Sequence, residues 1–219
     1  MKIDIDWRFV PIATEGHIAR RHAEVALKRL SSTPAELRML VLAELEDSGH
    51  AHDEDERDIA LKEISFLEDE LPRLELYGVV FVLFAVFESV VKRLPKIVLR
   101  EAEPLDLNRE FVQNASRYFR ETLQVPLFAM ASDEQFILML SDLRAAIAHA
   151  GGNIALLKGK PKERIEKQWL KKYSGLKVTG AYLAISPELI RYAAKLIDES
   201  LRGTITRLKA AYPRENSRE

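Results

Sequence analysis

Apolar residues recur along most of this chain at the three- and four-residue spacing of helices that bury one face. Residues 15 to 30 read as a short amphipathic helix, with Ile18, Val25 and Leu30 near one stripe. A second helix opens at "STPAELRMLVLAELED", where Ser and Thr caps precede Pro34 and Glu36 follows; Gly49 ends it. The polar stretch "SGHAHDEDERD" leads to a helix from about Asp55 to Leu71, with Pro72 marking a boundary or kink. Residues 74 to 100 carry the longest apolar helix. From Leu76 to Val86 apolar side chains surround almost its whole circumference, which predicts a central position, and Pro95 is expected to bend or end it. A helix from Arg109 to about Leu123 comes next, then an extended "VPLFAMAS". Ser132 is the expected N-cap of a helix starting at Asp133 and stopped by Gly151 and Gly152. A basic helix after Gly159 turns Ile165 and Trp169 inward. "LKV" and "YLAI" predict a hairpin turning at Thr179-Gly180. Ser186 and Pro187 start the last helix, whose stripe is Ile190, Ala194, Ile197, Leu201, Ile205 and Leu208. The pattern predicts an all-α, up-and-down bundle with one small β-hairpin before the last helix.

Composition adds limits. The 219 residues are 47% hydrophobic and 31% charged, a globular balance with material for a sizeable core. With no cysteine, a disulfide framework, a thiolate metal site and a cysteine nucleophile are excluded. That usage fits a reducing cytoplasm, and the N-terminus lacks the pattern of a signal peptide. The densest apolar run, Leu76 to Phe87, is shorter than the ~20 residues of a membrane span, so a core helix and no membrane contact are expected. Net charge is −1, unevenly spread. Residues 44 to 75 hold thirteen Asp and Glu against three Lys and Arg, while residues 158 to 177 hold eight Lys and Arg against two Glu. The basic segment reads either as a solvated helix face or as a contact for phosphates.

Phosphate-binding glycine loops, nucleophile elbows and zinc-protease motifs are absent. His50, His52, Asp53, Glu54 and Asp55 share one loop, but nothing spaces them on a rigid element as a metal centre requires, and a solvated loop is the expectation. No cofactor is called for.

The stretch "DLRAAIAHAGGN" places Arg144 five positions before His149 at a helix end. Five residues turn a helix by about 500°, which leaves the two side chains about 140° apart. Imidazole suits proton transfer near neutral pH, and guanidinium suits a phosphoryl group. Basic residues also stabilise a helix C-terminus with no catalytic role, so spacing leaves both readings open.

Around this pair the chain resembles the HEPN superfamily of small α-helical domains over about residues 74 to 209. "LYGVVFVLFAVFESVVKRL" looks like its long early core helix, with Glu88, and "FILMLSDLRAAIAHAGGNI" looks like its R-x4-6-H signature helix. The "GLKVTGAYLAIS" hairpin and a closing helix follow in order. The resemblance implies a HEPN-like core at 73–211; residues 1–72 lie outside it and are expected to form an N-terminal helical extension packed on the core, and the tail at 212–219 is expected to be disordered. It implies a metal-independent endoribonuclease, a toxin or antiphage effector, acting as a homodimer in which Arg144 and His149 of two subunits share one cleft. It further implies that Glu88, Ser141 and Asn153 support the cleft, with Glu88 either holding His149 or an arginine or reaching solvent. Arg117, Arg120, Lys158, Lys160 and Lys162 would contact RNA, although packing of Tyr118 and solvation of the two arginines is the plainer reading. A neutralising partner protein would accompany a toxin. Two positions depart from the pattern. Ala145 stands where many active members carry a polar residue, often Asn, and Gly151 stands where some toxin members carry a tyrosine. Both leave open a non-catalytic module that binds RNA, a nucleotide or a protein.

Overall fold

The computed structural model describes residues 6, 8–47, 53–99 and 110–213. Helices dominate: α1 (Val10–Leu30), α2 (Thr33–Asp47), α3 (Glu54–Ser65), α4 (Leu71–Val98), α5 (Phe111–Glu121), α6 (Ala131–Ala150), α7 (Lys160–Arg164), α8 (Leu170–Lys172) and α9 (Pro187–Ala211). One antiparallel hairpin, β1 (Leu176–Thr179) and β2 (Tyr182–Ile185), precedes α9.

The centre of the bundle is α4, which packs on α1, α6 and α9. Val80, Leu83, Phe87, Val90, Val91 and Leu94 are fully enclosed. Phe87 stacks on Phe128 at 5.9 Å between ring centres and meets Phe111 edge-on at 6.2 Å. The continuous helical stretch Glu54–Val98 is long and apolar enough to cross a membrane, yet half of its most apolar window is buried in the bundle. Pro72 does not break this stretch. The turn before it, Phe66–Glu70, widens into a π turn, and Pro72 sits in the first turn of α4, where a missing N–H costs little. Pro95 lies inside α4, buried, three residues before its end.

The face that α1 buries is not the one its large residues suggest. Ile18 and Val25 are exposed, at 58% and 46%, and the buried stripe is Ile12, Gly16, Ala19, Ala23 and Leu27. Small side chains let α1 lie close on α9: a Cβ on Gly16 would stand 3.3 Å from Leu201 Cδ1. Ala23→Leu should therefore overpack this seam and lower stability by about 1–3 kcal/mol in urea unfolding. Ile18→Ala should stay within about 0.5 kcal/mol. Equal effects would refute the assignment. By contrast α2 buries no residue and rests on α3.

The stripe of α9 is as expected: Ile190, Ala194, Ile197, Leu201, Ile205 and Leu208 are all buried. Ser186 caps the helix, accepting from Leu189 N–H at 3.2 Å. The same helix holds the 122–130 segment, which is a run of bends rather than the extended stretch expected, with Gln124 left-handed (φ 52°). Thr204 Oγ1 donates to the Leu127 carbonyl at 2.7 Å and Arg207 Nε to that of Pro126 at 3.0 Å. Several boundaries differ from expectation, among them the start of α1 at Val10 rather than residue 15. Helix α6 starts at Ala131, not Asp133, because Asp133 reaches back to accept from Met130 N–H at 3.3 Å, and Ser132 falls inside the first turn. In the hairpin Thr179 pairs with Tyr182, so the loop is Gly180-Ala181. Gly180 supplies the left-handed residue (φ 59°), which β-branched Thr179 resists. Likewise α5 begins at Phe111; Arg109 lies outside the described residues.

Candidate functional site

The site expected on α6 is built from that helix's own periodicity. Phe136, Ile137, Met139, Leu140, Leu143, Ala146 and Ile147 face the core. Toward its N-terminal half, α6 is covered by α5, with Ser116 Oγ donating to Glu134 at 3.0 Å. Toward its C-terminal end, Arg144, Ala148 and His149 are exposed and Ser141 and Ala145 half-buried. The 140° between Arg144 and His149 thus spans a solvent-facing surface. The two basic residues stand at its borders, and Ser141, Ala145 and Ala148 lie between them. Among the described residues neither Arg144 nor His149 forms a hydrogen bond or an ion pair.

Of the other cations nearby, Arg164, Lys160 and Lys162 have carboxylate partners. The buried Asp142 carboxylate accepts from Arg164 Nε at 2.7 Å and Nη2 at 2.6 Å, and from Trp169 Nε1 at 2.7 Å. Arg164 is thereby held above its ordinary pKa, first by the hydrogen bond to Asp142. The convergence depends on a second π turn, Ile165–Trp169. Residues five apart diverge on an α-helix but come nearly into line on a wider turn, so Arg164 and Trp169 reach one carboxylate. Lys160 pairs with Glu110 at 2.5 Å and keeps that carboxylate below its usual range. Lys162 lies 4.0 Å from Glu166. Lys158, Arg117 and Arg120 are exposed, and Tyr118 is half-buried against Phe119 at 6.4 Å.

The three residues expected to support the cleft divide. Ser141 lies on the exposed face between the basic pair. Glu88, half-buried on α4, pairs with Lys92 one turn on, and within the chain it bonds to neither Arg144 nor His149. Asn153 turns inward to the loop: its Oδ1 accepts from Ala155 N–H at 2.9 Å, and its backbone bridges Tyr182.

That bridge fixes the end of α6. Gly151 (φ 56°) closes the helix, and the carbonyl of Gly152 (φ 78°) accepts from Leu183 N–H at 2.9 Å. Ile154 N–H donates to the Ala181 carbonyl at 2.9 Å, and Tyr77 from α4 donates its hydroxyl to the Leu183 carbonyl at 2.5 Å. The helix end carrying His149 is therefore anchored to the hairpin and the central helix. Burial, above all, raises the Tyr77 pKa, so this hydroxyl remains a donor at neutral pH.

Sequence reasoning turned Trp169 inward, where it is buried, but passed over its partner Asp142 and also Arg164 and Tyr77. A signal did exist for Asp142: it lies three residues after Met139 and four before Ala146, on the core stripe, where a carboxylate needs partners. His50 and His52 lie outside the described residues. Asp53 is the N-cap of α3, accepting from Asp55 N–H at 3.0 Å, and among the described residues no three His, Asp or Glu side chains are grouped as metal ligands. Comparison with family models, with curated proteins and with solved structures returned no match.

Proposed function

We propose that this chain is a HEPN-like, metal-independent endoribonuclease that works as a homodimer through the exposed end of α6. One observation carries the reading: Arg144 and His149 stand unpaired among the described residues at the borders of a solvent-facing surface whose middle is small, while Arg164 and Lys160 are engaged by carboxylates. Small residues allow a second helix to approach closely. A second copy docked on this face would bring two arginines and two histidines into one groove.

The chemistry needs no further group. One imidazole takes the proton of an RNA 2′-hydroxyl as O2′ attacks phosphorus. The P–O5′ bond breaks, and O5′ takes a proton from the second, protonated imidazole. The products are a 2′,3′-cyclic phosphate and a 5′-hydroxyl. Arg144 faces the charge that grows on the phosphoryl oxygens. A toxin or antiphage effector, with a neutralising partner protein, is the setting this activity suits.

Ala145 favours a second reading, a non-catalytic module that binds RNA, a nucleotide or a protein. It lies one turn before His149, where a polar side chain would orient the imidazole. Purified protein incubated with RNA in EDTA separates the two. Cleavage is expected, falling by about 10²-fold in Arg144→Ala and in His149→Ala with the circular dichroism unchanged. A folded dimer that leaves RNA intact would support the binding module instead.

A further inference from the structure

An open cavity of about 660 Å³ lies at the other end of α6, between the α8–β1 connection, β2 and the start of α9. It falls within the ~300–1,000 Å³ range of small-ligand sites. Its wall is aromatic. Phe136 forms the buried base, with the Tyr192 ring edge-on to it at 4.7 Å and the Tyr173 ring at 5.2 Å. Tyr192 is 49% exposed, so much of this ring is open to solvent. The rim is basic. Lys172 hydrogen-bonds Gln135 of α6 and holds its ammonium 5.5 Å from the Tyr173 ring centre, and Lys177 is exposed on β1. The one rim carboxylate, Glu188, is engaged by its own backbone N–H, by Ser186 and by Arg191, and is held below its ordinary pKa chiefly by the first of these.

An accessible aromatic platform bordered by lysines matches the requirements of single-stranded nucleic acid, in which every base offers a π face and every linkage a phosphate. Phe136 precedes Arg144 by eight residues on one helix, about 12 Å of axial rise, so one strand can reach both places. We propose that this cavity is a base-stacking subsite for single-stranded RNA, with Tyr192 and Tyr173 receiving a base and Lys172 and Lys177 the adjoining phosphates. The inference rests on reading α6 as an RNA-facing helix, and adds the substrate class: unpaired strands, whose bases are free to leave the stack.

The test is binding by the full chain carrying His149→Ala, which keeps RNA whole. Fluorescence anisotropy compares a labelled oligouridylate with an abasic ribose-phosphate strand of equal length. The oligouridylate is expected to bind about 10-fold tighter. Tyr192→Ala should abolish that difference and Tyr192→Phe preserve it. Lys177→Ala should weaken both strands and reduce the salt slope by about one. Equal affinity for the two strands, no binding of either, or a base preference that survives Tyr192→Ala overturns the subsite. The two readings fail separately. Cleavage by the unmutated chain without a base preference removes the subsite and keeps the nuclease, whereas base-dependent binding without cleavage does the reverse.

Discussion

Asp142→Ala is expected to destabilise the protein by about 3 kcal/mol, and by more than Arg144→Ala or His149→Ala. Removing one partner of a buried ion pair costs about 3–5 kcal/mol because the other charge is left without compensation. Here Arg164 keeps 20% of its side chain exposed, which moves the expectation to the low end. Trp169 adds an unpaired buried N–H to the loss. Asp142→Asn keeps an acceptor of the same shape and should cost less, about 1–2 kcal/mol. Urea unfolding measures both. Because the sequence has two tryptophans, a Trp7→Phe background isolates Trp169, whose emission should shift when its N–H loses the carboxylate. A cost below about 1 kcal/mol for Asp142→Ala would show that the carboxylate does not bind the basic segment to α6 in solution.

The neighbouring glycines should respond differently to the same substitution. Gly151→Ala meets nothing within 4 Å, so only the left-handed backbone opposes it, at roughly 1 kcal/mol. At Gly152 the new Cβ would collide with the Tyr77 hydroxyl and stand 2.5 Å from its Cζ. Tyr77 is 3% exposed and fixed by its bond to Leu183, so the ring cannot swing aside without breaking that bond. Gly152→Ala is expected to cost about 3–4 kcal/mol, combining backbone strain, overpacking and a lost buried hydrogen bond. Tyr77→Phe removes the colliding oxygen and should reduce the penalty of Gly152→Ala in a double-mutant cycle. Similar losses at Gly151 and Gly152 would argue against the close approach of α4 to the hairpin.

How far the fold could be read from sequence depended on how much each element relies on large residues. Helix α9 was legible because Ile190, Ile197, Leu201 and Leu208 mark its buried stripe openly. On α1 the same logic pointed to Ile18 and Val25, and the burial lies with Gly16, Ala19 and Ala23, whose small side chains carry little pattern. The start of α6 was placed late because Ser132 has the chemistry of a cap, while Asp133 performs the reach-back. The two π turns left no trace in residue type. A widened turn changes which residues align and not what they are, and so the shared hold of Arg164 and Trp169 on Asp142 was hidden. At the candidate site, the spacing of Arg144 and His149 gave their divergence, and the structure placed them at the borders of an exposed face. The partners of Asp142 lie 22 and 27 residues downstream, beyond any local pattern.

The π turn at Ile165–Trp169 sets an unusual rule for change in this part of the chain. Its exposed positions, Glu166, Lys167 and Gln168, can vary in chemistry at little structural cost, since they face solvent. Their number can fall by one as well. Deleting any one of them would tighten the turn to an ordinary α-helical one and place the indole four residues after Arg164, about 40° from it around the axis. Five residues on the wide turn and four on the ordinary one both make close to one revolution, so Arg164 and Trp169 would still face Asp142 and Lys172 would stay near Gln135. Variants with one of the three missing should therefore keep the fold, whereas one residue added here would turn Trp169 and α8 by about 100° and break the shared hold on Asp142.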